Sequence, residues 1–297
     1  MTRLIRAELL KIRTTNTWWI FFIAIFVFTA AALAIWLLVA NEAINTAQAA
    51  VGGGFEPPTD GTSPAMVEEM RRQWELEHDI GRTLVSNAAN IYTSGQFFGL
   101  MFAMLLGALL MTNEFYHQTA TATFLTTPRR TAVILGKLAT AVLAAACFWL
   151  FATVLSVAAG AIFFTAKGYG SQLGEWPVTR AILLNALAYG LWGILGVALG
   201  VLIRSQIGAV VTGTVAYVVG TFLLGNIIVP ILVFALNWQW VLDASVAWPG
   251  IASLVMVSSE PPFAGMPPWW AGALVLIGYG VVFGTVGTLI TRRRDIS

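Results

Sequence analysis

Apolar stretches free of charge recur six times along this chain: Trp18–Ala40, Ile91–Met111, Leu138–Thr165, Ala181–Ile203, Gln206–Leu236 and Trp269–Thr291. About 20 apolar residues suffice to cross a hydrocarbon core of about 30 Å, so each stretch predicts a spanning helix. The third and fifth are long enough to tilt, kink or break, and Pro230 is the expected bend in the fifth. The pattern divides the chain into an entry segment (1–16), span one (17–40), a polar segment (41–90), span two (91–112) and a second polar segment (113–130). Span three (131–165), span four (181–203), span five (206–236), an interrupted apolar segment (237–268) and span six (269–291) complete it.

The entry segment TRLIRAELLKIR is too short and too charged to span. At helical spacing Ile5, Leu9 and Ile12 form one stripe, and Arg3, Arg6 and Arg13 a neighbouring one. This is the pattern of an amphipathic helix lying in a membrane interface. Trp18 and Trp19 then mark a membrane boundary. In the 41–90 segment, VGGGFEPPTDGTSP reads as turn-rich. A helix is predicted after it, with Ser63 as its cap, Pro64 in the first turn and Met66, Met70 and Trp74 recurring every fourth residue. It reads as a solvated helix extending span two outward, with gating of a substrate as the alternative role. Segment 237–268 is apolar but broken by Pro249 and Gly250, which predicts two short helices dipping into the outer leaflet.

Composition agrees with the pattern. Hydrophobic residues make up 58% and charged residues 10%, against about a quarter charged in soluble domains. Charge then orients the chain. With both termini cytoplasmic, the inner segments hold eleven of the sixteen basic residues and three of the fourteen acids. Lys and Arg favour the cytoplasmic side, so this topology is expected. The first run is too long for a signal-peptide core and reads as a retained span. The single Cys147 excludes a disulfide framework within the chain and is expected to be a small buried hydrophobe.

Several chemistries lack their residues. Gly136-Lys137 has no glycine five positions earlier, so there is no Walker A loop and the chain is not expected to hydrolyse ATP. His78 and His117 fall on opposite sides of the membrane, which leaves a Ser-His-Asp or zinc site unsupported. No Asp, Glu, Lys or Arg lies inside the six charge-free windows, as an ion-coupled carrier would need. Their polar residues, such as Gln96, Asn185, Gln206 and Asn226, are neutral. Nothing in the chain points to nucleic acid, metal or a cofactor of its own.

The segment NEFYHQTATATFLTTPRR carries the remaining information. Glu114 directly follows span two, where a carboxylate can cap backbone N–H groups or meet a partner's arginine. Thr-rich sequence is a poor helix former, so a short helix here would need contacts, for which Phe124 and Leu125 are the apolar anchor. Thr127 is the expected cap and Pro128 the first residue of the next helix, with Arg129, Arg130 and Lys137 at anionic headgroups. RAELLKIRTTNTWWI and NEFYHQTATATFLTTPRRTAVILGKL together resemble the permease subunits of ABC-2 type transporters, mainly exporters in bacteria. The first resembles that family's elbow helix and the second its coupling helix. Gln118-Thr119 stands where the family commonly has Gly-Thr.

The resemblance implies an all-α polytopic fold of six transmembrane helices, with an N-terminal elbow helix, a short cytoplasmic coupling helix and a broken outer hairpin before the last span. It implies contacts to a separate ATP-binding cassette subunit through Glu114, Tyr116, His117, Thr119, Phe124 and Leu125, with Arg204 as a further candidate. MgATP would bind in that partner. A second permease chain, identical or homologous, would pair with this one in the bacterial plasma membrane. Hydrophobic or amphipathic cargo would move along a path formed largely by spans one, two and five, for which Gln96, Phe97 and Asn226 are candidates. A membrane-integral scaffold without cargo, or a secondary transporter, remains the alternative.

Overall fold

A peptide group in hydrocarbon has no water to bond, so a crossing segment must close its own hydrogen bonds as a helix. The computed structural model describes residues 2–58, 63–118, 130–203, 205–261 and 265–293. Among the described residues the protein is all-α, without strands, and has six helical stretches long and apolar enough to span. It is a multi-pass membrane protein. In chain order come α1 (Thr2–Thr14), α2 (Thr17–Gly53), α3 (Pro64–Glu77), α4 (Ile80–Tyr92) and α5 (Gln96–Tyr116). Then follow α6 (Arg130–Ala166), α7 (Trp176–Leu202) and α8 (Gln206–Leu223), two π-helical turns (Leu224–Ile228 and Ile231–Ala235), α9 (Trp240–Ser245), α10 (Pro249–Val257) and α11 (Trp269–Arg293).

Two expected boundaries move. α2 does not stop near residue 40 but continues to Gly53, a length of roughly 55 Å at 1.5 Å per residue. Ala40, Ile44 and Ala47 continue its buried stripe past Glu42, and α4 packs along it. Gly54, at φ +74°, ends the helix by donating its N–H to the Ala50 carbonyl. The second change lies within 41–90. Residues 80–92 are not an outward solvated extension but the buried α4, whose Asp79 cap accepts from Gly81 N and Arg82 N. Its Leu84, Ala88 and Ile91 face the core. α3 is the exposed helix, capped by Ser63, which accepts from Met66 N at 3.4 Å. Thr93–Gly95 separates α4 from α5, so the second span is a broken helix.

α5 forms the centre, nearly all of its middle turns buried, with α7 as its closest neighbour. That contact is backbone against backbone: a Cβ on Gly196 would lie 1.9 Å from the Met104 carbonyl oxygen. Small residues permit such approach between helices in lipid, where packing rather than water exclusion drives association. The break before α5 is satisfied by protein. Tyr189 donates its hydroxyl to the Gly95 carbonyl at 3.0 Å, and Tyr217 donates to Phe97 O at 2.7 Å. Pro230, the expected bend, lies between the two π turns, whose wider hydrogen bonds carry the chain past a residue without an N–H.

Cys147 corrects an expectation. It is exposed on α6, beside a shallow apolar cavity of about 210 Å³ between α1, α2 and α6. In a bilayer the outside of a bundle is as apolar as its inside, so a small hydrophobe gains little by facing inward.

Candidate functional site

The C-terminal turn of α5 and the first turns of α6 flank residues 113–130, and α1 lies across both. Lys137 is the pivot. Two turns into α6, its side chain is completely buried. It donates to Glu8 Oε2 at 3.1 Å, to Glu114 Oε1 at 2.9 Å and to the Leu110 carbonyl at 2.8 Å. An ammonium has three protons, and these three acceptors use them all. Lys11, half exposed, closes the cluster with Nζ 2.7 Å from Glu8 Oε1 and 2.9 Å from Glu114 Oε1. Burial works against the Lys11 charge, but hydrogen bonds and negative charge from Glu8 and Glu114 outweigh it and hold its pKa above the ordinary lysine value. Two carboxylates and two ammonium groups therefore bind α1 to both flanking helices.

This arrangement revises several residues. Lys137 does not reach headgroups, because three acceptors inside the protein hold it. Glu114, expected to cap backbone or meet a partner, is buried and turned to the lysines. On α1 the residue turned into the protein is Glu8; Ile5 and Ile12 are partly buried and Leu9 is exposed, as residues of a stripe facing lipid would be. A face led by an acid turns inward because the buried lysine needs a counter-charge. Arg3, Arg6 and Arg13 are exposed. Tyr116 and His117 end α5 with both rings exposed and in edge contact at 5.0 Å between centroids. Thr119, Phe124, Leu125, Thr127, Pro128, Arg129 and Arg204 lie outside the described residues.

Gln118 closes α5 in the left-handed region, at φ +56°, with its N–H donated to Phe115 O at 3.3 Å. A non-glycine residue pays for that conformation, which is where helices commonly place glycine. A cavity of about 280 Å³ opens beside the cluster, lined by Lys11, Thr15, Thr17, Asn113, Glu114 and His117 among others. Among the described residues no group of three His, Cys, Asp or Glu side chains is placed to hold a metal ion.

The candidate pathway residues separate. Gln96 is buried at the start of α5, where Nε2 donates to the Ser253 carbonyl of α10 at 3.0 Å. Phe97 packs on Tyr217, and both Gln96 and Phe97 line a polar cavity of about 510 Å³ at the end of α5 remote from α1. Asn226 is exposed on the first π turn, with Nδ2 donating to Phe222 O at 3.2 Å. Sequence reasoning missed Glu8, Lys11 and the structural role of Lys137. The one signal was the Glu8–Lys11 pair at i, i+3 on an amphipathic helix.

No curated protein matches the chain. A family described as protein of unknown function (DUF2705) matches residues 78–297, from the end of α3 to the last residue. That range includes α4 to α11 and both lysine-flanked helix ends described above, and the chain belongs to this family.

Proposed function

We propose that this chain is the membrane-spanning permease of an ABC-2 type exporter, moving a hydrophobic or amphipathic cargo with ATP hydrolysed in a separate subunit. The observation that carries the reading is the four-charge cluster built around the buried Lys137. It fastens α1 to both helices flanking 113–130, so that a push on that segment moves α1, α5 and α6 together. Two features of the sequence support it. The basic residues concentrate at the α1 side, which supports a topology with that side and both termini in the cytoplasm, in the plasma membrane. Gln118 adopts a glycine-favouring conformation at the position where the resembling family commonly has glycine. Tyr116 and His117, exposed at the end of α5, would meet the ATP-binding subunit together with Phe124 and Leu125. A second permease chain would complete the path.

The buried charge is the feature that favours a secondary carrier. Its groups, however, pair with one another at a helix junction, whereas an ion-coupled path needs an ionisable group open to the ion. The scaffold reading predicts no cargo movement. The test begins with copurification from native membranes in mild detergent and identification of an ATP-hydrolysing partner. Phe124→Asp should detach that partner or uncouple its ATPase from transport, since a carboxylate in an apolar groove must be desolvated or protonated. Phe124→Leu should do much less harm. If Phe124→Asp binds and transports like the parent, the coupling assignment is wrong.

A further inference from the structure

The polar cavity of about 510 Å³ at the far end of α5 lies between α2, the α4–α5 junction, α10 and the residues just after α10. Its size falls within the roughly 300–1,000 Å³ usual for small-molecule sites. The broken second span forms part of its wall, since Thr93 and Ser94 both line it. Unwound backbone at membrane depth is tolerated where it borders protein or a water-filled cavity.

Among the described residues Glu260 is the ionisable group in the lining, and Arg82 of α4 pairs with it in a bidentate contact, with Nε to Oε1 at 2.5 Å and Nη2 to Oε2 at 3.0 Å, so the described lining carries no unpaired charge. The same strand of chain is held from the other side, where Arg180 Nη2 donates to the carbonyls of Ser258 and Ser259, each at 3.1 Å. Within the cavity the Asn90 amide and the Ser259 hydroxyl make no hydrogen bond among the described residues, and both can donate and accept. Trp36 and Phe97 contribute aromatic surface to the same walls. A charged ligand would lose its hydration here without finding a free counter-charge. A ligand rich in hydroxyls meets amides and hydroxyls of matching character, with aromatic rings for its apolar faces.

We infer that this cavity receives the uncharged, hydroxyl-rich headgroup of an amphiphile, the cargo class of the exporter proposed above, on which reading the inference rests. Leu254→Cys in a Cys147→Ala background, which keeps Asn90 and Ser259 in the cavity wall, is reconstituted in phosphatidylcholine liposomes and supplies the reporter. An uncharged methanethiosulfonate reagent is present on both faces. Octyl glucoside, octyltrimethylammonium or octyl phosphate is added below solubilising concentration. The cysteine should react, and the glucoside, at about four times its Kd or more, should slow the reaction about fivefold or more by mass action. The two charged amphiphiles of equal tail should not slow it. Asn90→Leu should abolish the protection, measured against that variant's own rate without amphiphile. An unreactive cysteine, equal protection by all three amphiphiles, stronger protection by a charged one, or protection that survives Asn90→Leu would each overturn the inference. The readout needs no ATP-binding subunit, so its failure is distinguishable from failure of the docking test.

Discussion

Replacing Lys137 by Met keeps an unbranched apolar side chain in α6 but removes the buried cation on which Glu8 and Glu114 converge. Both carboxylates are nearly inaccessible, at 8% and 4% side-chain exposure, and the cation left in the cluster, Lys11, is half exposed. Breaking a buried pair from one side costs about 3–5 kcal/mol, because the remaining charge has lost its water as well as its partner. Of the two acids, Glu8 has the easier escape, since α1 is a short helix that can swing its carboxylate into water. The expected result is undocking of α1, shifting the docked-to-undocked ratio by roughly 10²–10⁴-fold. Spin labels at Leu9 and Leu135, both exposed, can read this by pulsed electron paramagnetic resonance in a Cys147→Ala background. The parent should give one narrow distance distribution and Lys137→Met a broader, longer one. Adding Glu8→Leu removes the stranded acid and leaves Lys11 with Glu114, so the double variant should regain most of the docked population. An unchanged distribution in Lys137→Met would refute the idea that buried pairing holds α1. A double variant as undocked as the single would show that the lost bond, and not the stranded charge, is what matters.

Gly196→Ala should lower the thermal midpoint in detergent by the equivalent of about 1–3 kcal/mol, since the new Cβ meets the backbone of Met104 and α5 and α7 must separate. Gly190→Ala on the same helix meets Val142 Cγ1 at an ordinary 3.6 Å and should be nearly neutral; equal effects would contradict the close-packing argument. Gln118→Gly should stabilise the end of α5 by about 1 kcal/mol by relieving the left-handed conformation, seen as a raised midpoint, and a lowered midpoint would count against that geometry. Lys11 should behave as a group whose folded pKa is raised: its contribution to docking is fully present at neutral pH and is lost as pH rises through the folded value. The spin-label distances in the parent and in Lys11→Gln should therefore converge only in alkaline solution, and convergence already at neutral pH would contradict this.

Much of the architecture was legible along the chain. Six charge-free windows became the six spanning stretches, because hydrocarbon leaves an apolar segment no alternative to a helix. Ser63 followed by Pro64 marked a helix start that the structure places there, and Pro249-Gly250, read as a break between two short helices, stands where α10 begins. These are local effects, decided by a few neighbouring residues. Which apolar face turns inward was not legible, since lipid and protein interior are equally apolar; Cys147 exposed and Ala145 buried differ in nothing that periodicity records. Nor could local pattern reveal that Lys137, read as a headgroup anchor, would be buried with Glu8, 129 positions away in sequence, and with Glu114. The continuation of α2 to Gly53 was hidden by Glu42, whose charge closed the apolar window although the buried stripe ran on. Local composition thus determined where the helices are. The need of buried charges for counter-charges, met only when distant segments come together, decided how α1, α5 and α6 join.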